Sequence, residues 1–207
     1  MNLHAPFTGA ILLPDKAFPT GVSPVHTPDG QVIAQIRWHA MSMRGKFEVL
    51  DATGQEVASG GSESMSGRKM GLRDPRGASL AELKLSLMWP AGTATLTLPD
   101  GAELGVKKAT FSERKFAFTD RTGEVARITP TTAVFSFHPD AYAFEMLRPA
   151  FTPIVAIGIA QCLREAVKST RNARAWARDG RPCKVWHGHR IPLAANHLKQ
   201  KSVTVAS

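Results

Sequence analysis

The chain of 207 residues carries 26 Lys and Arg against 17 Asp and Glu, a formal charge of +9, with 43% hydrophobic residues. That apolar fraction excludes a chain disordered throughout, and the length suits one domain with a sizeable core. Two cysteines exclude a disulfide framework, and the longest apolar run, Ile154 to Ala160, falls well short of the roughly 20 residues of a membrane span.

The N-terminus, Met1-Asn2-Leu3-His4-Ala5-Pro6, lacks the basic start of a secretory signal, and Pro6, Gly9 and Pro14 break its short apolar run. The expectation is a cytoplasmic protein, with peripheral placement at a membrane left open. Residues 1–30 are rich in Pro and Gly and read as a loop-rich segment, with at most one short strand, packing on the domain that follows. From Gln31 the pattern changes. Val32, Ala34, Ile36 and Trp38 alternate with Ile33, Gln35 and Arg37, the period of a strand with one buried face. Phe47 and Val49 lead into Asp51-Ala52-Thr53-Gly54, a turn signal, and Ser59 to Gly67 is loop by composition.

Further alternating segments follow at Leu83–Trp89, Thr93–Leu98, Lys115–Phe118 and Val134–Phe137. Between them lie Asp74-Pro75-Arg76-Gly77, Asp100-Gly101 and Asp120-Arg121-Thr122-Gly123. Asp bonds its own turn backbone and Gly accepts positive φ, so these are turn residues with a mechanism. Many short strands with regular turns argue for an antiparallel sandwich or barrel. Phe47 to Ala58 also resembles Phe116 to Ala126, with one residue fewer after the glycine. Two hairpins with the same turn chemistry, or a repeated hairpin in one barrel, both account for this.

After Thr152, a candidate helix cap, Pro153 occupies the favoured first helical position. Ile154 to Ala160 then offers no polar face over two turns. A helix apolar on every side must be surrounded, and this one is too short to be surrounded by lipid. The sheet must therefore wrap round it. The fold expected is mainly β: a closed antiparallel β-barrel around a buried C-terminal apolar helix spanning 153–168 or more. The barrel is expected over 31–168, with a basic C-terminal extension over 169–207.

In these features the chain resembles the tubby C-terminal-like superfamily, which includes LURP-one-related proteins and phospholipid scramblases. The likeness rests on the Asp-x-x-Gly turns at Asp51, Asp74 and Asp120 and on Asp100-Gly101 ahead of Leu104-Gly105-Val106-Lys107-Lys108. It rests also on the apolar helix that follows Phe144-Glu145-Met146-Leu147. It covers residues 31–168 and implies a closed barrel of about twelve antiparallel strands around one hydrophobic helix. Tubby proteins bind phosphoinositide headgroups and scramblases act on membranes, so the resemblance implies an anionic lipid partner. The chain departs from that pattern in two respects. It has no acidic calcium-binding segment of the scramblase kind near the helix, and it continues for about forty residues past the helix. No phosphoinositide-binding residue carries over.

Charge is unevenly spread. Residues 1–163 hold 16 basic and 15 acidic residues, whereas residues 164–207 hold 10 basic residues and two acids, Glu165 and Asp179, a net charge of +8. Arg164, Lys168, Arg171 and Arg178 recur at helical spacing on one face, with Arg174 at its flank, and Arg181 and Lys184 follow. Together these seven are the candidate anion-binding residues. Their expected partner is a lipid headgroup or membrane surface, or an acidic protein; nonspecific nucleic acid and assembly into a larger complex are the alternatives. The competing structural account is a solvated helix end that serves solubility. Trp176 and Trp186 add aromatic surface to the segment, for stacking, for a membrane interface or for tucking the tail against the barrel.

Cys183, His187, His189 and His197 give C-x3-H-x-H-x7-H, which matches no common structural zinc pattern. No metal or other cofactor is expected. G-x-S-x-G, H-E-x-x-H, Walker and G-x-G-x-x-G motifs are all missing, and the turn carboxylates have structural explanations. No catalytic residue is assigned, and the expectation is a protein that is not an enzyme.

Overall fold

The computed structural model describes residues 1–14, 21–39, 42, 45–64, 66–86, 92–109, 112, 114–131 and 141–178, with side chains as far as Thr170. Twelve strands among them close into one antiparallel barrel, each strand paired with its sequence neighbours and β1 meeting β12. In chain order they are β1 (Gly9–Leu13), β2 (Val22–His26), β3 (Val32–Trp38), β4 (Phe47–Asp51), β5 (Glu56–Ser62) and β6 (Lys69–Arg73). Then come β7 (Ser79–Leu85), β8 (Thr93–Thr97), β9 (Glu103–Lys108), β10 (Phe116–Asp120), β11 (Gly123–Pro130) and β12 (Tyr142–Met146). A single helix among the described residues, α1 (Pro153–Arg178), follows.

The expected mainly β barrel around an apolar helix is therefore the observed fold. Its beginning differs from the sequence reading. Residues 1–30 are not a loop-rich segment lying on the barrel, because β1 and β2 are part of the wall and β1 completes the closure. Each is five residues long with two inward positions: Ile11 and Leu13 in β1, Ser23 and Val25 in β2. Two buried side chains per strand, set among prolines and glycines, make too short a pattern to stand out from loop composition. The alternation read at Leu87 and Trp89, and that at Val134–Phe137, lies outside the described residues; β7 is described as far as Leu85.

The hairpin turns follow the predicted chemistry. Asp51 Oδ1 accepts from Thr53 N at 2.8 Å and Gln55 N at 3.0 Å, and Asp74 Oδ1 accepts from Arg76 N at 2.9 Å and Ala78 N at 2.7 Å. Gly54 (φ 89°) and Gly77 (φ 84°) take the left-handed conformation that closes each turn. The register shifts by one at Val49/Leu50 and Leu72/Arg73, beside those turns, as a glycine bulge requires. The similarity between the β4–β5 and β10–β11 hairpins extends to side chains, since Thr53 Oγ1 donates to Asp51 and Thr122 Oγ1 to Asp120, at 2.6 and 2.7 Å.

Asp120 has a further partner. Arg148, just past β12, donates to its Oδ1 at 3.0 Å, to the Gly123 carbonyl at 3.3 Å and to Thr122 Oγ1. The Thr122 hydroxyl first and Arg148 second hold the Asp120 carboxyl well below the usual range, at about 2. A depressed carboxylate pKa contributes stability above its unfolded value that is lost as the pH falls through the folded one. Asp120→Asn is therefore expected to lower stability at neutral pH, and the gap from wild type to close as the pH drops from about 4 toward 2. Denaturant titrations of both proteins across that range check it; a gap independent of pH would dissociate the carboxylate from the effect.

Thr152 caps α1 as expected, its Oγ1 accepting from Val155 N at 3.4 Å and its carbonyl from Ala156 N at 3.0 Å. Residues 153–163 are buried without interruption, and the helix packs on β4, β5, β6, β7 and β12. Its first turn lies near the Asp51 and Asp74 turns. Glu165 reaches Gly45 between β3 and β4, and Ser169 lies beside Gly67 between β5 and β6. The helix thus enters at the end with the tight Asp turns and leaves at the opposite end.

Candidate functional site: the helix end at the barrel rim

On part of the barrel wall, charge is neutralised locally. Arg37 and Glu48 stand directly opposite on β3 and β4 and pair at 3.0 Å, and Arg127 pairs with Glu145 across β11 and β12 at 2.8 Å. Lys69 reaches Glu82 at 2.9 Å, and Arg73 reaches Glu63 at 2.6 Å. Such exposed cross-strand pairs add little to stability. Lys84 on β7 and Lys107 and Lys108 on β9 stand outside these pairs. A groove of about 560 Å³ runs over β4, β5 and β6, where Ser59, Gly61 and Gly71 leave the wall low. Glu48 and Glu63 line it beside His39 and Arg73, and these four are paired with one another, His39 to Glu48 at 2.7 Å. It offers little to an anion.

At the end where α1 leaves, the character changes within two turns. Leu163 and Ala166 are buried, Val167 is half-buried, and Lys168 and Ser169 are exposed. Helical backbone continues to Arg178, so Arg171, Arg174 and Arg178 all stand on α1, and 164, 168, 171 and 178 share a face by helical period. A helix of 26 residues is about 39 Å long at 1.5 Å per residue, so the backbone of α1 runs about 18 Å past Ala166, the last buried side chain among those described. Arg181 and Lys184 lie outside the described residues, as do Trp186 and the Cys183, His187, His189 and His197 set.

Arg164, the first residue of the predicted stripe, behaves differently from Lys168. Its Nη1 donates to the Pro14 carbonyl at 2.9 Å and to Gln161 Oε1 at 3.2 Å, and its guanidinium lies 5.1 Å from the centre of the Tyr142 ring. Burial pushes its pKa down to about 10, which still leaves it charged at neutral pH. Arg164 therefore anchors the helix to the wall, and Lys168 is the first exposed basic residue of the series. The buried Gln161, 1% exposed, was visible in the sequence merely as a break in an apolar run.

Two further facts bear on chemistry. Cys162 is enclosed, and burial drives its thiol up to about 12, so it is an inert core residue. Among the described residues no three His, Cys, Asp or Glu side chains come together to hold a metal ion, and no helix is long and apolar enough to cross a membrane.

Comparison with known proteins adds to the fold. An X-ray structure of a protein from Arabidopsis thaliana superposes with a TM-score of 0.54, covering 79% of this chain and 94% of that one at 14% identity. At that identity the likeness is one of fold. No protein-family model and no curated protein matches the sequence.

Proposed function

We propose that this chain is a non-catalytic binding protein of the tubby-like kind, in which the barrel is a mount and the emerging helix with its basic extension engages an anionic surface. The observation that carries this is charge segregation: the last 44 residues hold a net +8, whereas residues 1–163 hold 16 basic and 15 acidic residues. Lys168, Arg171, Arg174 and Arg178 stand on α1, and Arg181 and Lys184 follow in the sequence. A lipid headgroup surface is the favoured partner, because a row of cations at helical spacing suits a planar array of anions. An acidic protein surface is the second.

Vesicle co-sedimentation tests the reading. A chain ending after Ala175 loses six basic residues and one acid, leaving four basic residues and Glu165 of the charged set. The full chain is expected to sediment with vesicles containing phosphatidylserine, and to release steeply between low and physiological salt. The shortened chain is expected to bind at least a hundredfold more weakly, because each basic residue near an anionic surface contributes up to about 1 kcal/mol and every 1.4 kcal/mol is about tenfold. Equal sedimentation of the two would reject the tail as the binding element.

A further inference from the structure

Residues 1–163 are nearly neutral in sum, yet the barrel sorts their charges along its axis. At the end where α1 enters, the five hairpin turns carry Asp29, Asp51, Asp74, Asp100 and Asp120, of which only Asp120 is in an ion pair, with Arg148. Arg76 and Arg121 are the exposed basic residues of those turns. At the end where α1 leaves, the signs are exchanged. Lys46 precedes β4, Arg68 precedes β6, Lys84 stands one residue from the end of β7, Lys107 and Lys108 close β9, and Lys115 precedes β10. None of these six has an ion-pair partner among the described residues. Glu63, at the same end, is already held by Arg73 and Lys69.

Backbone hydrogen bonds join these positions into one arc. Leu85 N donates to the Arg68 carbonyl at 2.8 Å, Ser86 N to the Thr93 carbonyl at 3.1 Å, Lys108 N to the Gly92 carbonyl at 2.7 Å, and Ala109 N to the Lys115 carbonyl at 2.9 Å. The cations therefore follow one another round the rim from β4 to β10, an arc of about 29 Å at about 4.8 Å per strand. Successive members are no more than two strands apart, close to the Debye length of about 8 Å at physiological salt, so their fields add. The strands that complete the circle, β11, β12, β1 and β2, bring no charged side chain to that end among the described residues. The helix leaves beside the arc, with Glu165 at Gly45 and Ser169 at Gly67.

We propose that this basic arc is a docking surface of the barrel itself, on which the protein stands end-on against an anionic bilayer with its Asp turns facing away. The inference rests on the reading of an anionic lipid partner and adds to it a second contact, separate from the extension. An arc of this length is complementary to an extended surface, whereas a single anionic group would meet only one or two of its members. The acidic opposite end is repelled by the same surface, so the axial separation of charge sets the orientation as well as the attraction.

Two double variants of the full chain test this, because they change net charge equally at opposite ends and leave the extension whole. Arg68→Gln/Lys115→Gln alters the arc, and Arg76→Gln/Arg121→Gln alters the turns. All four side chains are exposed, and unchanged melting temperatures confirm the fold; Lys46→Gln/Lys115→Gln replaces the first pair if it does not fold. Affinity is measured by co-sedimentation with vesicles of phosphatidylserine and phosphatidylcholine. The arc variant is expected to bind about tenfold more weakly, and the turn variant to stay within about twofold of the unaltered chain. Equal losses in the two would mean that net charge alone acts, and would overturn the proposal. So would full binding by the arc variant, which leaves the extension as the sole contact. An arc effect seen with a single-stranded oligonucleotide but not with vesicles would assign the surface to nucleic acid and overturn it too. Absence of sedimentation by the unaltered chain would reject the lipid reading as a whole, and the arc with it.

Discussion

Replacing Phe118 by alanine is expected to lower the stability of the barrel by about 3–5 kcal/mol, the range for truncating a fully buried aromatic. Phe118 is completely buried on β10 and its ring lies 5.4 Å from that of Phe144 on β12 and 6.2 Å from that of Phe151. Phe144 and Phe151 close the triangle at 5.9 Å, edge to face. Phe151 sits two residues ahead of α1, so the cluster joins two wall strands to the start of the helix. Its loss leaves a cavity bordered by rigid rings, which cannot collapse to fill it. Since domains are stable by only about 5–15 kcal/mol, a large part of the total is at stake. Urea titration measures the effect, with Ala117→Ser on the outward side of the same strand expected to stay within about 0.5 kcal/mol. Comparable midpoints for the two variants would show that the aromatic triangle is not a structural centre.

That cluster was half legible. Phe116 and Phe118 alternate with Lys115 and Ala117, and period 2 assigned them to one face of a strand. Their partners on β12 and before α1 are some 26–33 residues away in sequence, so nothing in the sequence alone brings the rings together. The same division runs through the molecule. Strand β3 announces itself because Ala34, Ile36 and Trp38 recur on the inward side, whereas β1 and β2 contribute two inward side chains each. The helix was the clearest element, since an apolar surface on every side has few physical solutions. Arg164 shows the limit. Helical spacing places it in line with Lys168 and Arg171, but its hydrogen bond to Pro14 spans 150 residues, and burial separates it from the face it shares by period. Gln161 matters for the same reason: a polar residue in an apolar run signals either a rim position or an internal demand for a partner, and only the closure of the barrel decides between them.

Gly158 is the position at which that closure is tightest. A Cβ there would fall 2.5 Å from both methyl carbons of Leu72 and 3.0 Å from its Cγ, so α1 lies directly against the β6 side chain. Leu72 is completely buried, which leaves it no free direction in which to rotate. Alanine raises helix propensity by about 1 kcal/mol over glycine, yet overpacking a filled core costs about 1–3 kcal/mol. Gly158→Ala is therefore expected to be net destabilising despite its better propensity, and Gly158→Leu to prevent the barrel from closing. Leu72→Ala alone is expected to cost about 2–5 kcal/mol, as a cavity in the same space. The double variant Gly158→Ala/Leu72→Ala decides the matter. If helix and strand meet as described, the methyl group on the helix occupies part of the space that Leu72 vacates. The double variant is then expected to be at least about 1 kcal/mol more stable than the sum of the two single effects. Denaturant titration of the four proteins gives that coupling directly. Strict additivity would mean that residue 158 does not face β6, and the helix would have to be rotated within the barrel.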